Sequence, residues 1–205
     1  MEIEKRSFEI ISEELRSMGI ELPKEQEMIT TRVIHTSADF DYAKTMTYSA
    51  DAAEIAKNLI RNGADIVTDT TMGLSGINKK ILAEFGGSVH CFIADEDVAK
   101  QAKKQGQTRS SVSREKAAEL NKPVIFAIGN APTALISIYE MMQKTTWRPA
   151  FVIGVPVGFV NVEAAKELIM ETDIPYIVNV GRKGGSNVAA AICNALIYEI
   201  KKEKI

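Results

Sequence analysis

Five short apolar runs, rich in β-branched residues, set the strongest limit on what this chain can fold into. They are ADIVTD at 64–69, SVHCFI at 88–93, KPVIFAI at 122–128, FVIGV at 151–155 and PYIVNV at 175–180. None alternates strictly between apolar and polar residues, as a strand with one wet face would. Continuous apolar runs of this length mark strands buried on both faces. Helical spacing fills the intervals, at about 77–84, 97–104, 113–120, 132–143, 161–171 and 186–200.

Strand and helix in alternation predict a parallel sheet with helices on both sides. A three-layer, flavodoxin-like α/β fold of about five strands is the simplest fit. The first part of the chain adds helices. Phe8, Ile11, Leu15 and Met18 are spaced three or four apart, which predicts a helix over 2–18 that Gly19 ends. Pro23 opens a second, carrying Met28, Ile29, Val33 and Ile34, which closes around His35–Ser37. A third spans about Ser49 to Asn62. The segment KKQGQTRSSVSRE, 103–115, is polar and reads as a flexible loop with two arginines. One domain over 1–205 is expected.

Formal net charge is -2 and aromatic residues make up 6% of the chain, so nothing points to a nucleic-acid partner. No apolar run is long enough to span a membrane, and the charged, amphipathic start MEIEKRSFEIISEELRS lacks the apolar segment of a secretory signal. Cys91 and Cys193 are far apart in apolar runs, with no Cys-x-x-Cys and no Cys/His cluster. Free thiols in a reducing compartment, a cytoplasmic location and no structural metal are expected.

In open parallel sheets, ligands bind beyond the carboxyl ends of the strands. There this sequence places DTTMGLSG (69–76), GNAPTAL (129–135), PVGFV (156–160) and GRKGGS (181–186). The last is the sharpest. Gly184 permits close backbone approach, Ser186 opens a helix whose N-terminus favours an anion, and Arg182 and Lys183 add charge. The anion could be phosphate or carboxylate, although neither G-x-x-x-x-G-K-[ST] nor G-x-G-x-x-G is present. Asn130 could meet a ligand or merely cap the helix that Pro132 starts. Gly158 could let a flat ligand rest on backbone or simply end a strand. His90, in a buried strand, reads as structural, and Asp95, Glu96 and Asp97 as helix-capping acids.

Taken together, RSFEII, RVIHTSAD, GADIVTDTTMGLSGI, QTRSSV, IFAIGNAPTAL, PAFVIGVPVGFVNVEAAKELI and VGRKGGSNVAAAICNAL resemble the precorrin-8X methylmutase family of cobalamin biosynthesis, over nearly the whole chain. The resemblance implies an isomerase that moves a methyl group from C11 to C12 of a corrin precursor, a 1,5-sigmatropic shift, without a cofactor. The product would be hydrogenobyrinate from a metal-free substrate or cobyrinate from the cobalt form. It also implies a flavodoxin-like homodimer. The family's proton-donating histidine matches His35, an early serine matches Ser7, and a loop arginine matches Arg109.

Histidine is the side chain best suited to give and retake a proton near neutral pH. Protonating the conjugated ring would make it electron-poor and assist migration. A corrinoid carries acetate and propionate arms, which gives Arg109, Arg182 and Lys183 anionic partners. Two other readings compete: a flavodoxin-like module binding a nucleotide or flavin, and a corrinoid carrier without turnover. Against the flavin, only Phe40 and Phe159 offer rings in the strand-end loops.

Overall fold

The computed structural model describes residues 2–204. The chain runs α1 (Glu2–Ser17), α2 (Lys24–Ser37), α3 (Tyr42–Thr45), β1 (Met46–Tyr48), α4 (Ala52–Arg61), β2 (Asp65–Thr68), α5 (Thr71–Gly76), α6 (Lys79–Ala83) and β3 (Val89–His90). It continues through α7 (Glu96–Gln105), α8 (Arg109–Ala118), β4 (Val124–Ile128), α9 (Pro132–Lys144), β5 (Phe151–Gly154), α10 (Val162–Met170), β6 (Tyr176–Asn179) and α11 (Ser186–Lys202). No helix among the described residues is long and apolar enough to cross a membrane.

The sheet order is β1-β6-β5-β4-β2-β3. β2 to β6, the five expected runs, pair in parallel in the flavodoxin-like order. Their side chains alternate between two cores. Ile125, Ala127, Phe151 and Ile153 face the side built by α1, α2, α4 and α11. Phe126, Ile128 and Val152 face the side built by α9 and α10. Both faces are dry, which is why the runs are continuously apolar.

Four expectations needed correction. A sixth strand, β1, pairs antiparallel to β6 through Met46↔Asn179 and Tyr48↔Ile177. It is three residues long and half-buried, too short to carry a periodic signal. The 103–115 segment is not a loop. α7 runs to Gln105, Gly106 turns the chain at φ +64°, and α8 begins at once. Thr108 caps α8, its Oγ1 accepting from Ser111 N at 3.2 Å. α7 and α8 bury only a narrow stripe, Val98, Ala102, Val112 and Ala117, so most positions stay polar. The helix expected over 77–84 is shorter, Lys79–Ala83, with α5 before it. The run 88–93 forms only two residues of strand before a 3-10 turn at Phe92–Ala94.

Candidate active site

The carboxyl ends of β2, β4, β5 and β6 share one edge of the sheet. Because β1 is antiparallel, the segment entering it, 38–45, arrives at that same edge. The turn 181–185 is locked there by backbone bonds. Gly185 N donates to Val155 O at 2.9 Å, and Gly158 N donates to Arg182 O at 3.1 Å. The fit leaves no room for side chains. A Cβ on Gly184 would lie 2.0 Å from the Val155 carbonyl oxygen, and one on Gly129 2.5 Å from Ser186 Cα. Ser186 itself points inward, its Oγ 2.7 Å from Thr70 Oγ1.

Asp69 was not singled out from sequence, yet it organises the second turn. Its carboxylate accepts from the backbone N–H groups of Gly129 (2.9 Å), Asn130 (2.8 Å) and Ala131 (2.6 Å). The anion-accepting turn ahead of α9 is therefore filled by the protein's own carboxylate. Asn130 does not cap α9, and its side chain is exposed. β2 puts Asp69 there because Asp69 follows the last strand residue.

The cations differ in how far they are engaged. Lys183 Nζ lies 2.6 Å from both Asp39 Oδ2 and Asp41 Oδ2, tying the glycine turn to the segment after α2. This hydrogen bond from Lys183 holds the Asp39 carboxyl below its ordinary range. Arg182 is 58% exposed, with Nε 3.5 Å from Glu163 Oε2 and its guanidinium 5.6 Å from the Phe159 ring centroid. Arg109 is exposed in the first turn of α8. Its neighbour Ser110 joins Thr68, Asp69 and Arg114 around a cavity of about 20 Å³, so α8 abuts the strand ends.

The loop after β5 presents apolar side chains to solvent: Phe159 is 83% and Val160 77% exposed. Gly158 lies beside them with φ +154°. With the Arg182 guanidinium over the Phe159 ring, this edge is both apolar and cationic.

His35 lies in the last turn of α2 and is exposed. The Phe8 ring meets it edge-on at 5.2 Å, and the Arg32 guanidinium lies over the Phe8 ring, 5.1 Å from its centroid. Ser7 precedes Phe8 on α1, with Oγ donating to Ile3 O at 3.0 Å. His90 is engaged structurally, Nε2 standing 3.1 Å from Asp65 Oδ2. Asp95 is the N-cap residue of α7, without a side-chain capping bond, and Glu96 and Asp97 stand in its first turn as expected; Asp95 and Asp97 also bind Lys116 Nζ, at 2.6 and 2.8 Å. Among the described residues no group of three or more His, Cys, Asp or Glu side chains is placed to hold a metal ion.

Residues 2–199 match the family model described as Precorrin-8X methylmutase. The cobalt-precorrin-8 methylmutase of Salmonella typhimurium is 45% identical over 98% of this chain and 95% of its own. The precorrin-8X methylmutase of Pseudomonas aeruginosa is 35% identical over 96% of this chain and 94% of its own. The solved precorrin-8X methylmutase of Thermus thermophilus superposes with a TM-score of 0.89, at 35% identity and full coverage of both chains. Sequence and fold agree over the same span: the chain belongs to the precorrin-8X methylmutase family.

Proposed function

We propose that this protein moves a methyl group from C11 to C12 of precorrin-8 or its cobalt form, giving hydrogenobyrinate or cobyrinate. The observation that carries the reading is end-to-end identity of 45% to a cobalt-precorrin-8 methylmutase. The reaction balances within one molecule: the C11–CH₃ bond breaks as the C12–CH₃ bond forms, and the ring proton is lent and recovered. His35 is the group we assign to that proton. It is exposed in the last turn of α2, where a bound macrocycle can reach the imidazole.

Ser7, Asn130, Gly158, Gly184 and Ser186 are proposed to border the macrocycle, and Arg109, Arg182 and Lys183 to meet its carboxylate arms. Phe159 and Val160 give the ring an apolar resting surface. The nucleotide or flavin alternative is disfavoured by Asp69, because a phosphate on the 129–131 amides would have to displace a bonded carboxylate. A homodimer is proposed as well. Ile3 and Ile10 share one face of α1 and are exposed, a face that a second copy would cover.

The test is incubation of the protein with metal-free and cobalt-containing substrate while the ring absorption is followed. Conversion of either supports the reading. A spectrum that shifts on binding but shows no turnover would leave a carrier, and no change with either would reject a corrinoid role.

A further inference from the structure

Helix α10 carries one residue that its packing does not require. Lys166 is one of its buried positions, with Val162, Ala165 and Ile169, and is 1% exposed. An aliphatic side chain would satisfy that position without desolvating a charge. Burial pushes the lysine pKa down to about 8, so its cationic form is held against the environment. Among the described residues it makes no salt bridge; Glu163, a turn earlier, acts on it only at longer range.

Its hydrogen bonds go instead to the candidate site. Nζ donates to Gly181 O at 2.6 Å and to Lys183 O at 2.9 Å. The Lys183 carbonyl also accepts from Asn179 Nδ2 at 2.9 Å. Asn179 is fully buried, and its Oδ1 is in turn held by Thr45 Oγ1 at 2.6 Å. With Gly158 N on Arg182 O, three consecutive carbonyls are bound by donors from α10, β6 and the β5 loop. Fixing the peptide planes on both sides of a residue fixes its Cα–Cβ direction. The planes on either side of Arg182 are held by Lys166 on the Gly181 carbonyl and by Gly158 N on the Arg182 carbonyl, and the bonds to the Lys183 carbonyl extend the same restraint to Lys183.

We propose that Lys166 is a positioning residue for substrate binding: by pinning the Gly181 carbonyl ahead of Arg182 and the Lys183 carbonyl beyond it, around the Arg182 carbonyl that Gly158 N holds, it aims the Arg182 guanidinium at a carboxylate arm of the corrinoid. The inference rests on the turn 181–186 belonging to the corrinoid site. Lys166 does not touch the ligand and takes no part in the methyl shift. Its loss should therefore weaken binding and spare the chemical step.

The test compares wild type, Lys166→Met, Arg182→Ala and the double variant by steady-state kinetics and by product titration. Lys166→Met is expected to raise KM and the product Kd about tenfold or more, with kcat within about threefold, since charge-assisted contacts are geometry-dependent. In the Lys166→Met background the further effect of Arg182→Ala should shrink, because the two changes remove one interaction. A purely structural lysine would lower the melting temperature and leave this coupling absent. Product Kd within twofold of wild type, or an Arg182→Ala effect equal in both backgrounds, overturns the proposal. Should Lys166→Met not fold, Lys166→Gln, which keeps an N–H donor in a shorter side chain, is read by the same criteria. A wild type that neither converts substrate nor binds product would reject the methylmutase reading itself; a wild type that does both, beside an unaffected variant, rejects only Lys166.

Discussion

The edge of the Phe8 ring meets the His35 imidazole at 5.2 Å, with the two planes inclined at 65°. Among the described residues His35 has no other aromatic neighbour, and it is exposed. Replacing it should cost little stability. His35→Ala is expected to lower kcat by about two to four orders of magnitude, the usual worth of a positioned general acid, while the melting curve stays near wild type. Turnover within a fewfold of wild type would remove His35 from the mechanism.

His90 should behave in the opposite way. Its contact with the buried Asp65 carboxylate at 3.1 Å is a link between β2 and β3. His90→Asn should lower stability by about 1.5–3 kcal/mol, the range for a hydrogen bond to a charged group, with the rate barely changed. Urea unfolding together with an activity assay separates the two effects.

Asp69 carries three backbone N–H groups on one carboxylate. Asp69→Ala would leave them unpaired ahead of α9. A loss of about 2–4 kcal/mol is expected, measurable as a lower urea midpoint. An unchanged midpoint would mean that solvent replaces the carboxylate freely.

Arg109 starts a capped helix, so it is presented by a rigid element. Arg109→Ala should weaken product binding by about 2–3 kcal/mol if a substrate carboxylate loses its partner. Arg109→Lys should fall between the two, since the charge survives and the fork does not. Equal product affinity in all three proteins would leave Arg109 a surface charge.

Lys166 gives a pH prediction with a definite sign. Its folded pKa of about 8 lies below the ordinary 10.5, so between those values the unfolded chain holds more protons. Stability contributed by this group therefore rises with pH through that window. Relative to Lys166→Met, wild type should gain on the order of 2–3 kcal/mol between pH 7.5 and about 10.5. Parallel stability curves for the two proteins would contradict a buried, charged lysine.

The parallel core was legible because each of its strands is apolar on both faces, and α2 was legible down to its end near His35. β1 was not, since Met46–Tyr48 is an edge strand whose identity depends on a partner more than a hundred residues away. α8 was expected only from about 113; its first turn was read as loop because TRSSVSRE buries little beyond Val112, leaving almost no periodic signal. In the site, the glycines and surface cations announced themselves by type. Asp69, Asn179 and Lys166 did not, because their partners are backbone groups brought close only by the fold. The pairing of Lys183 with Asp39 and Asp41 was hidden for the same reason.

The antiparallel course of β1 has a consequence for modularity. A flavodoxin-like core beginning near Ser49 would keep its five parallel strands and most of its glycine turns. It would lack the histidine, the Thr45 hydroxyl beneath Asn179 and both acids that hold Lys183. The segment before β1 is thus no appendage on a self-sufficient sheet: through Thr45, Asp39 and Asp41 the front of the chain holds the glycine turn that the back of the chain supplies, and neither could be exchanged for an unrelated segment without loosening that turn.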